Sequence, residues 1–261
     1  MKSLLKFLTK PVYQRYQQLN SRISSLEREI NGMTKAFDFL ADHPKWLESE
    51  QIGFNGQQNR KKIFQDVIKK VDFDAIIETG TWNGNTTGYM AKMAGLPVYT
   101  CELVKPYYSV AKMRLQEIAA MQSLYFHQQD SRSFLKELAS TELSQKKVFI
   151  YLDAHWYEDL PLREELELIG KTWKESVIMI DDFQVPGDPG YGYDNYGIGK
   201  KLTLDLILDL LHTLDLVPFF PALSSEQETG AKRGCIVLTR KGKLAETLSH
   251  IPSLIQKDTS N

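Results

Sequence analysis

Ile76-Ile77-Glu78-Thr79-Gly80-Thr81-Trp82-Asn83-Gly84-Asn85-Thr86-Thr87 opens as a short apolar, β-rich run and closes on small polar residues that begin a helix. Gly80 and Gly84 lack a Cβ, so the backbone there can turn tightly and approach a ligand closely. The first turn of the following helix offers unpaired N–H groups to a carboxylate. A dinucleotide-binding turn reads G-x-G-x-x-G. This one reads E-x-G-x-x-x-G, a looser spacing suited to a ligand without a pyrophosphate.

On either side of this turn, from about Lys70 onward, short β-rich runs alternate with helical ones. Residues 74–78, 97–102, 124–128, 148–153 and 177–181 read as strands, and 86–94, 107–121, 131–138 and 161–173 as helices between them. That alternation predicts an α/β, Rossmann-like, doubly wound parallel sheet with helices on both faces. After a helix near 200–214, two more strands, 216–222 and 234–240, have no helix between them and read as an antiparallel hairpin closing the sheet.

In such a sheet, ligands bind at the carboxyl ends of the strands, and those ends carry acids. Strand two ends in Cys101-Glu102, placed to accept the hydroxyls of a ribose. Strand three leads to Asp130-Ser131, suited to an adenine edge. Strand four ends Tyr151-Leu152-Asp153-Ala154-His155, and strand five ends Ile180-Asp181-Asp182. Neighbouring strands four and five would bring Asp153, Asp181 and Asp182 together, and three carboxylates suit Mg²⁺. His155 can take a proton near neutral pH.

The stretch from Ile76 to Gly84 is similar to the first motif of class I S-adenosylmethionine-dependent methyltransferases, and it resembles the macrocin O-methyltransferase group in particular. The resemblance covers roughly 54–240. It implies a seven-stranded sheet whose last strand is antiparallel. It also implies that Glu78 and the turn carrying Gly80, Thr81, Gly84 and Thr86 hold the methionine end. Glu102 would hold the ribose, Asp130 with Ser131 the adenine side, and Asp153 would stand with them on one rim around the adenosyl sulfonium. Macrocin-like enzymes place Mg²⁺ between acids matching Asp153, Asp181 and Asp182, and carry a base where His155 stands. The chain departs from that group after strand two, where Glu102-Leu103-Val104-Lys105 replaces an Asp-Ser-Phe type segment. The activity implied is methylation of a sugar or small-molecule hydroxyl, with His155 and Asp153 as catalytic groups. Two other readings stay open: a nucleotide-binding oxidoreductase on the same fold, and a non-catalytic scaffold.

The glycine- and tyrosine-rich stretch 185–197 reads as an acceptor-side lid, and 54–60 as a cover on the cofactor side. Residues 1–50 read as a separate helical segment ahead of a domain at 51–261. Val12, Tyr16, Leu19, Ile23, Leu26, Ile30, Met33, Phe37 and Leu40 alternate four and three apart, the pattern of a coiled-coil seam. It predicts a homo-oligomer joined through this helix, or else packing of the helix on its own domain. Pro11 reads as a helix start, and Gly32 as a place for a helix-turn-helix. Lys2, Lys6 and Lys10 beside Leu4, Leu5, Phe7 and Leu8 could touch a membrane surface.

Of the 261 residues, 42% are hydrophobic and 25% charged, enough for a globular core. Lys and Arg number 32 against 33 Asp and Glu, a formal charge of -1 that gives no electrostatic case for a nucleic-acid partner. Met1 to Lys10 lacks a cleavage site and no run is long enough to span a bilayer. Cys101 and Cys235 sit in apolar runs, as buried thiols of a cytoplasmic protein.

Overall fold

The computed structural model describes residues 2–42, 53–121, 123–155 and 159–257, with side chains for all of these but 2–11, 29, 36, 37, 39–42, 120 and 121. Two helices, α1 (Lys2–Asp42) and α2 (Gln58–Lys70), precede strand β1 (Ala75–Thr79). Then follow α3 (Asn85–Ala94), β2 (Val98–Cys101), α4 (Lys105–Arg114), α5 (Gln116–Met121), β3 (Leu124–His127) and α6 (Ser131–Ala139). The chain continues through β4 (Val148–Leu152), α7 (Leu162–Thr172), β5 (Ser176–Ile180), α8 (Leu204–Thr213), β6 (Leu216–Pro221), β7 (Ile236–Arg240), α9 (Lys243–Ser249) and β8 (Leu254–Gln256).

The strands form one mixed sheet in the order β3-β2-β1-β4-β5-β7-β6-β8. β1 to β5 are parallel, and β7 runs antiparallel between β5 and β6. The expected hairpin is therefore present, with Leu216 opposite Arg240 and Phe219 opposite Val237. The sheet has eight strands rather than seven, because β8 adds to the free edge of β6. Three residues are too few to show a period in sequence, so this strand exists through its pairing.

β1, β4 and β5 are buried along their whole length, as strands covered on both faces must be. Alternate residues serve alternate layers. Ala75, Ile77, Val148, Ile150, Leu152, Ile178 and Ile180 pack with Phe134, Leu166, Ile169 and Ile207 of α6, α7 and α8. Ile76, Phe149, Tyr151, Val177 and Met179 pack with Phe64, Val67, Met90 and Leu248 of α2, α3 and α9.

Three local expectations are corrected. The helix expected at 107–121 is two, parted at Leu115, whose backbone leaves the helical region. α1 is one continuous helix through both Pro11 and Gly32. The Leu- and Lys-rich stretch before Pro11 has helix propensity enough to carry the chain past one missing N–H. Gly32 is not a break but a contact: a Cβ there would stand 2.8 Å from Val104 Cγ1 and 3.6 Å from the Tyr107 ring, so only glycine lets α1 lie against α4. The third concerns Phe54, which covers no cofactor. It is fully buried in the second layer, with its ring 5.4 Å from Phe64 and 5.3 Å from Tyr151.

The side chains of Phe37 and Leu40, and those around Lys2, Lys6 and Lys10 with the membrane contact expected there, lie outside the described residues, as does the 50/51 boundary. Among the described residues no helix is long and apolar enough to cross a membrane.

Candidate active site

The strand order reverses at β1, which lies between β2 and β4. At that point the carboxyl ends of parallel strands leave a crevice. Gly80 turns away with φ +85°, and its N–H and that of Thr81 both donate to Cys101 O at 3.0 Å. Asp153 N donates to Thr79 O at 3.0 Å, so β4 ends directly beside the turn. A Cβ on Gly80 would fall 2.4 Å from the Asp153 carbonyl oxygen. Gly80 therefore sets how closely the two strand ends approach.

A cleft of about 370 Å³ opens there, within the range of small-molecule and cofactor sites. Of the residues expected to bind, Gly80, Glu102, Asp130, Ser131, Asp153 and His155 line it. Trp82, Leu103, Val104, Tyr107, Gln129 and Asp159 line it too, and so do Arg28 and Lys35 of α1, none of which is among the site residues expected from the sequence. Only the turn motif could have flagged Trp82. Its φ of +47° is a left-handed conformation that non-glycine residues rarely take, and its ring stands edge-on to Tyr107 at 6.2 Å.

Glu78, Thr81, Gly84 and Thr86 stand behind the cleft wall instead. Glu78 is buried, and its Oε2 accepts from Thr87 Oγ1 at 2.5 Å and Thr100 Oγ1 at 2.7 Å. Burial pushes its carboxyl up to about 7, against those hydrogen bonds. The carboxylate thus ties the start of α3 to β2. Thr81 Oγ1 meets Thr100 Oγ1 at 2.5 Å, and Thr86 Oγ1 accepts from Phe54 N at 3.1 Å. Gly84 is small for packing, since a Cβ would reach Leu115 Cδ1 at 2.8 Å.

Glu102 is held by backbone. Its Oε2 accepts from Trp82 N at 2.8 Å and its Oε1 from Val104 N at 2.7 Å. Burial raises its pKa, with those N–H groups opposing. Asp130 caps α6, accepting from Arg132 N at 3.0 Å, and pairs with the Arg132 guanidinium at 2.8 Å. That guanidinium keeps the Asp130 carboxyl below its ordinary value. Burial, then the charge of Asp182, holds the Asp153 carboxyl well above the usual carboxylate range. Burial pushes the His155 ring down to about 4, so it is neutral at pH 7. Neither of its ring nitrogens has a hydrogen-bond partner among the described residues.

The three-acid Mg²⁺ set expected from the sequence does not form. Asp181 is fully buried and is not among the residues lining the cleft: it pairs with the Arg60 guanidinium and accepts from the Tyr151 hydroxyl and from Asp182 N at 2.6 Å. Asp182 pairs with Arg233 Nε at 2.8 Å, and the same guanidinium reaches Asp194. Two arginines thus neutralise acids that a cation would need. Among the described residues no three or more His, Cys, Asp or Glu side chains converge on a metal position.

Of the expected lid, Tyr191 is buried and its hydroxyl donates to Leu223 O at 3.0 Å, while Asp188 holds Ser225 Oγ at 2.6 Å. Asp194, joined by the Tyr196 hydroxyl, stands beside Asp182.

Beneath the cleft floor, Glu165 of α7 is fully buried beside the hydroxyls of Ser131 and Thr79, and burial raises its carboxyl from 4.5 to about 7. The folded state therefore holds this proton more tightly than the unfolded chain. The stabilisation is complete below pH 4.5 and is lost as pH rises through 7. Glu165→Gln removes that dependence. Between pH 5 and pH 8 the wild type is expected to lose about 2.5 kcal/mol relative to the variant, read by urea unfolding at both pH values.

No family model matches the chain. Its fold is nevertheless shared with solved methyltransferases. The O-methyltransferase from Bacillus cereus, solved with SAH, superposes with a TM-score of 0.54 at 14% identity, covering 80% of this chain and 91% of that one. The O-methyltransferase TomG from Streptomyces achromogenes, involved in tomaymycin synthesis and solved with SAM, gives 0.53 at 15% identity over 70% and 80%. A putative caffeoyl-CoA O-methyltransferase from Staphylococcus aureus gives 0.52 at 14% identity over 69% and 82%. The protein thus has the Rossmann-like fold of class I methyltransferases, carried on a mixed eight-stranded sheet.

Proposed function

We propose that the protein is an S-adenosylmethionine-dependent methyltransferase, built as a helical segment at 1–50 and a catalytic domain at 51–261, that methylates a hydroxyl of a sugar or other small molecule. One observation carries the reading: the cleft at the β1/β4 crevice is rimmed by Gly80, Glu102, Asp130 and Asp153 from four successive strand ends. The donor set suits an adenosyl group. Glu102 spends one lone pair of each oxygen on a backbone N–H and keeps the others for a ribose diol. Ser131 and Asp130 open α6 where the base would lie.

When bound, S-adenosylmethionine supplies a methyl carbon on a positively charged sulfur, open to in-line displacement. The protein's part is alignment, exclusion of water and removal of the acceptor's proton. Asp153 and His155, on one wall of the cleft, are the groups for that proton. The acceptor enters on the side of Asp182, Asp194 and Tyr196, under the 185–197 segment. No step runs through Mg²⁺, because Arg60 and Arg233 occupy its acids. Oligomerisation through α1 belongs to this reading. So does a cytoplasmic location, which suits two buried free thiols, Cys101 and Cys235.

Ligand stabilisation tests the function directly. S-adenosylhomocysteine at a hundred times its dissociation constant should stabilise the protein by about 2.7 kcal/mol, seen as a rise in Tm, while NAD leaves Tm unchanged. Stabilisation by NAD alone would replace this reading with the oxidoreductase. Stabilisation by neither would leave a scaffold.

A further inference from the structure

α1 has two faces with different fates. Arg28, Gly32 and Lys35, spaced i, i+4 and i+7, form the stripe that lies on the protein's own domain: Gly32 is packed under Val104 and Tyr107, and Arg28 and Lys35 line the cleft. The other stripe, Val12, Tyr16, Leu19, Ile23, Leu26, Ile30 and Met33, is uncovered, each side chain 49–69% exposed. Seven large apolar side chains in one line along about 33 Å of helix is a contiguous patch of the kind that marks an interface. The domain already occupies the opposite side.

The sequence of that stripe selects its occupant. In heptad terms Tyr16, Ile23 and Ile30 fall at a, and Val12, Leu19, Leu26 and Met33 at d. β-branched residues at a with Leu at d favour two parallel strands. The flanking charges agree. Arg22 at g stands opposite Glu27 at e of a parallel second copy, five positions on, and the pair occurs twice by symmetry. Both side chains are exposed and free to meet across the seam.

Resting on the reading that the chain is a homo-oligomer through this helix, we propose that α1 pairs with α1 of a second copy as a parallel, in-register two-stranded coiled coil. The a/d seam joins the copies while the Arg28–Gly32–Lys35 stripe of each stays on its own cleft. Each copy thereby steadies the helix that roofs its cofactor site, since a helix docked along only part of its length is otherwise marginal.

The full-length chain should sediment at twice its 30.0 kDa mass. Leu19→Cys and Leu26→Cys, tested singly, should each form a disulfide-linked dimer under mild oxidation. The native Cys101 and Cys235 are buried and do not compete. Arg22→Glu should weaken the dimer about tenfold, and Arg22→Glu with Glu27→Arg should restore it. A dimer in which neither cysteine variant cross-links overturns the parallel arrangement and keeps the oligomer. A monomer at tens of micromolar overturns both, and flotation of that monomer with anionic phospholipid vesicles would assign the stripe to a membrane surface.

Discussion

Replacing Arg60 with methionine is expected to destabilise the protein by about 3–5 kcal/mol, the cost of leaving a buried charge without its partner. Arg60 and Asp181 are each about 1% exposed and pair directly. The same guanidinium donates to Gly234 O at 2.8 Å and to Arg233 O, so it also joins α2 to the start of β7. Methionine nearly matches the volume but leaves the Asp181 carboxylate with only the Tyr151 hydroxyl and the Asp182 N–H. Asp181→Asn in the same chain removes the stranded charge. The double variant should therefore recover part of the loss, with a coupling of about 1–3 kcal/mol. Urea unfolding with an unchanged m-value is the measurement. If Arg60→Met stays within about 1 kcal/mol of wild type, the pair is not formed in solution. Asp181 would then be a free carboxylate, and a cation between Asp153, Asp181 and Asp182 would return to consideration.

Why this pair escaped the sequence shows where local pattern stops. Arg60 closes the 54–60 stretch, which reads as a cover on the cofactor side, and opens the basic run Arg60-Lys61-Lys62; neither pattern points to a buried ion pair. Its partner is more than a hundred residues away and only the fold brings them together. Arg233 is similar: it lies in a loop, yet it pairs with Asp182 and Asp194 across the sheet end. By contrast, β1, β4 and β5 were legible because strands buried on both faces are mostly apolar, and because each is stopped by polar residues at its carboxyl end. Glu102 and Asp130 were legible for that same reason. Glu78 and Thr86 belong to the turn motif without lining the cleft, a placement that local pattern does not show. Here they brace the turn from behind. Gly32 misled because glycine has one spelling for two uses, a weak helix position and a close contact. β8 had no legible signal at three residues.

Glu102→Ala is expected to weaken S-adenosylhomocysteine binding by about a hundredfold. A hydroxyl donating to a carboxylate contributes about 1.5–3 kcal/mol, and two such bonds to one ribose give roughly 3 kcal/mol, or two powers of ten. The side chain has a second task that the experiment must separate. Its Oε2 accepts from Trp82 N, whose residue is held at φ +47°, a conformation costing about 1 kcal/mol or more. Alanine therefore also loosens the turn, and Tm should fall. Glu102→Gln isolates the binding role less severely. Its amide oxygen can keep one backbone N–H, but its NH₂ turns a donor towards the other, and about a tenfold loss is expected. Discrimination between adenosine and 2′-deoxyadenosine decides the cause. The wild type should prefer adenosine, and Glu102→Ala should bind the two alike, because the group that reads the hydroxyl is gone. If both nucleosides weaken in parallel and the preference persists, Glu102 only shapes the turn, and the diol is read elsewhere on the rim.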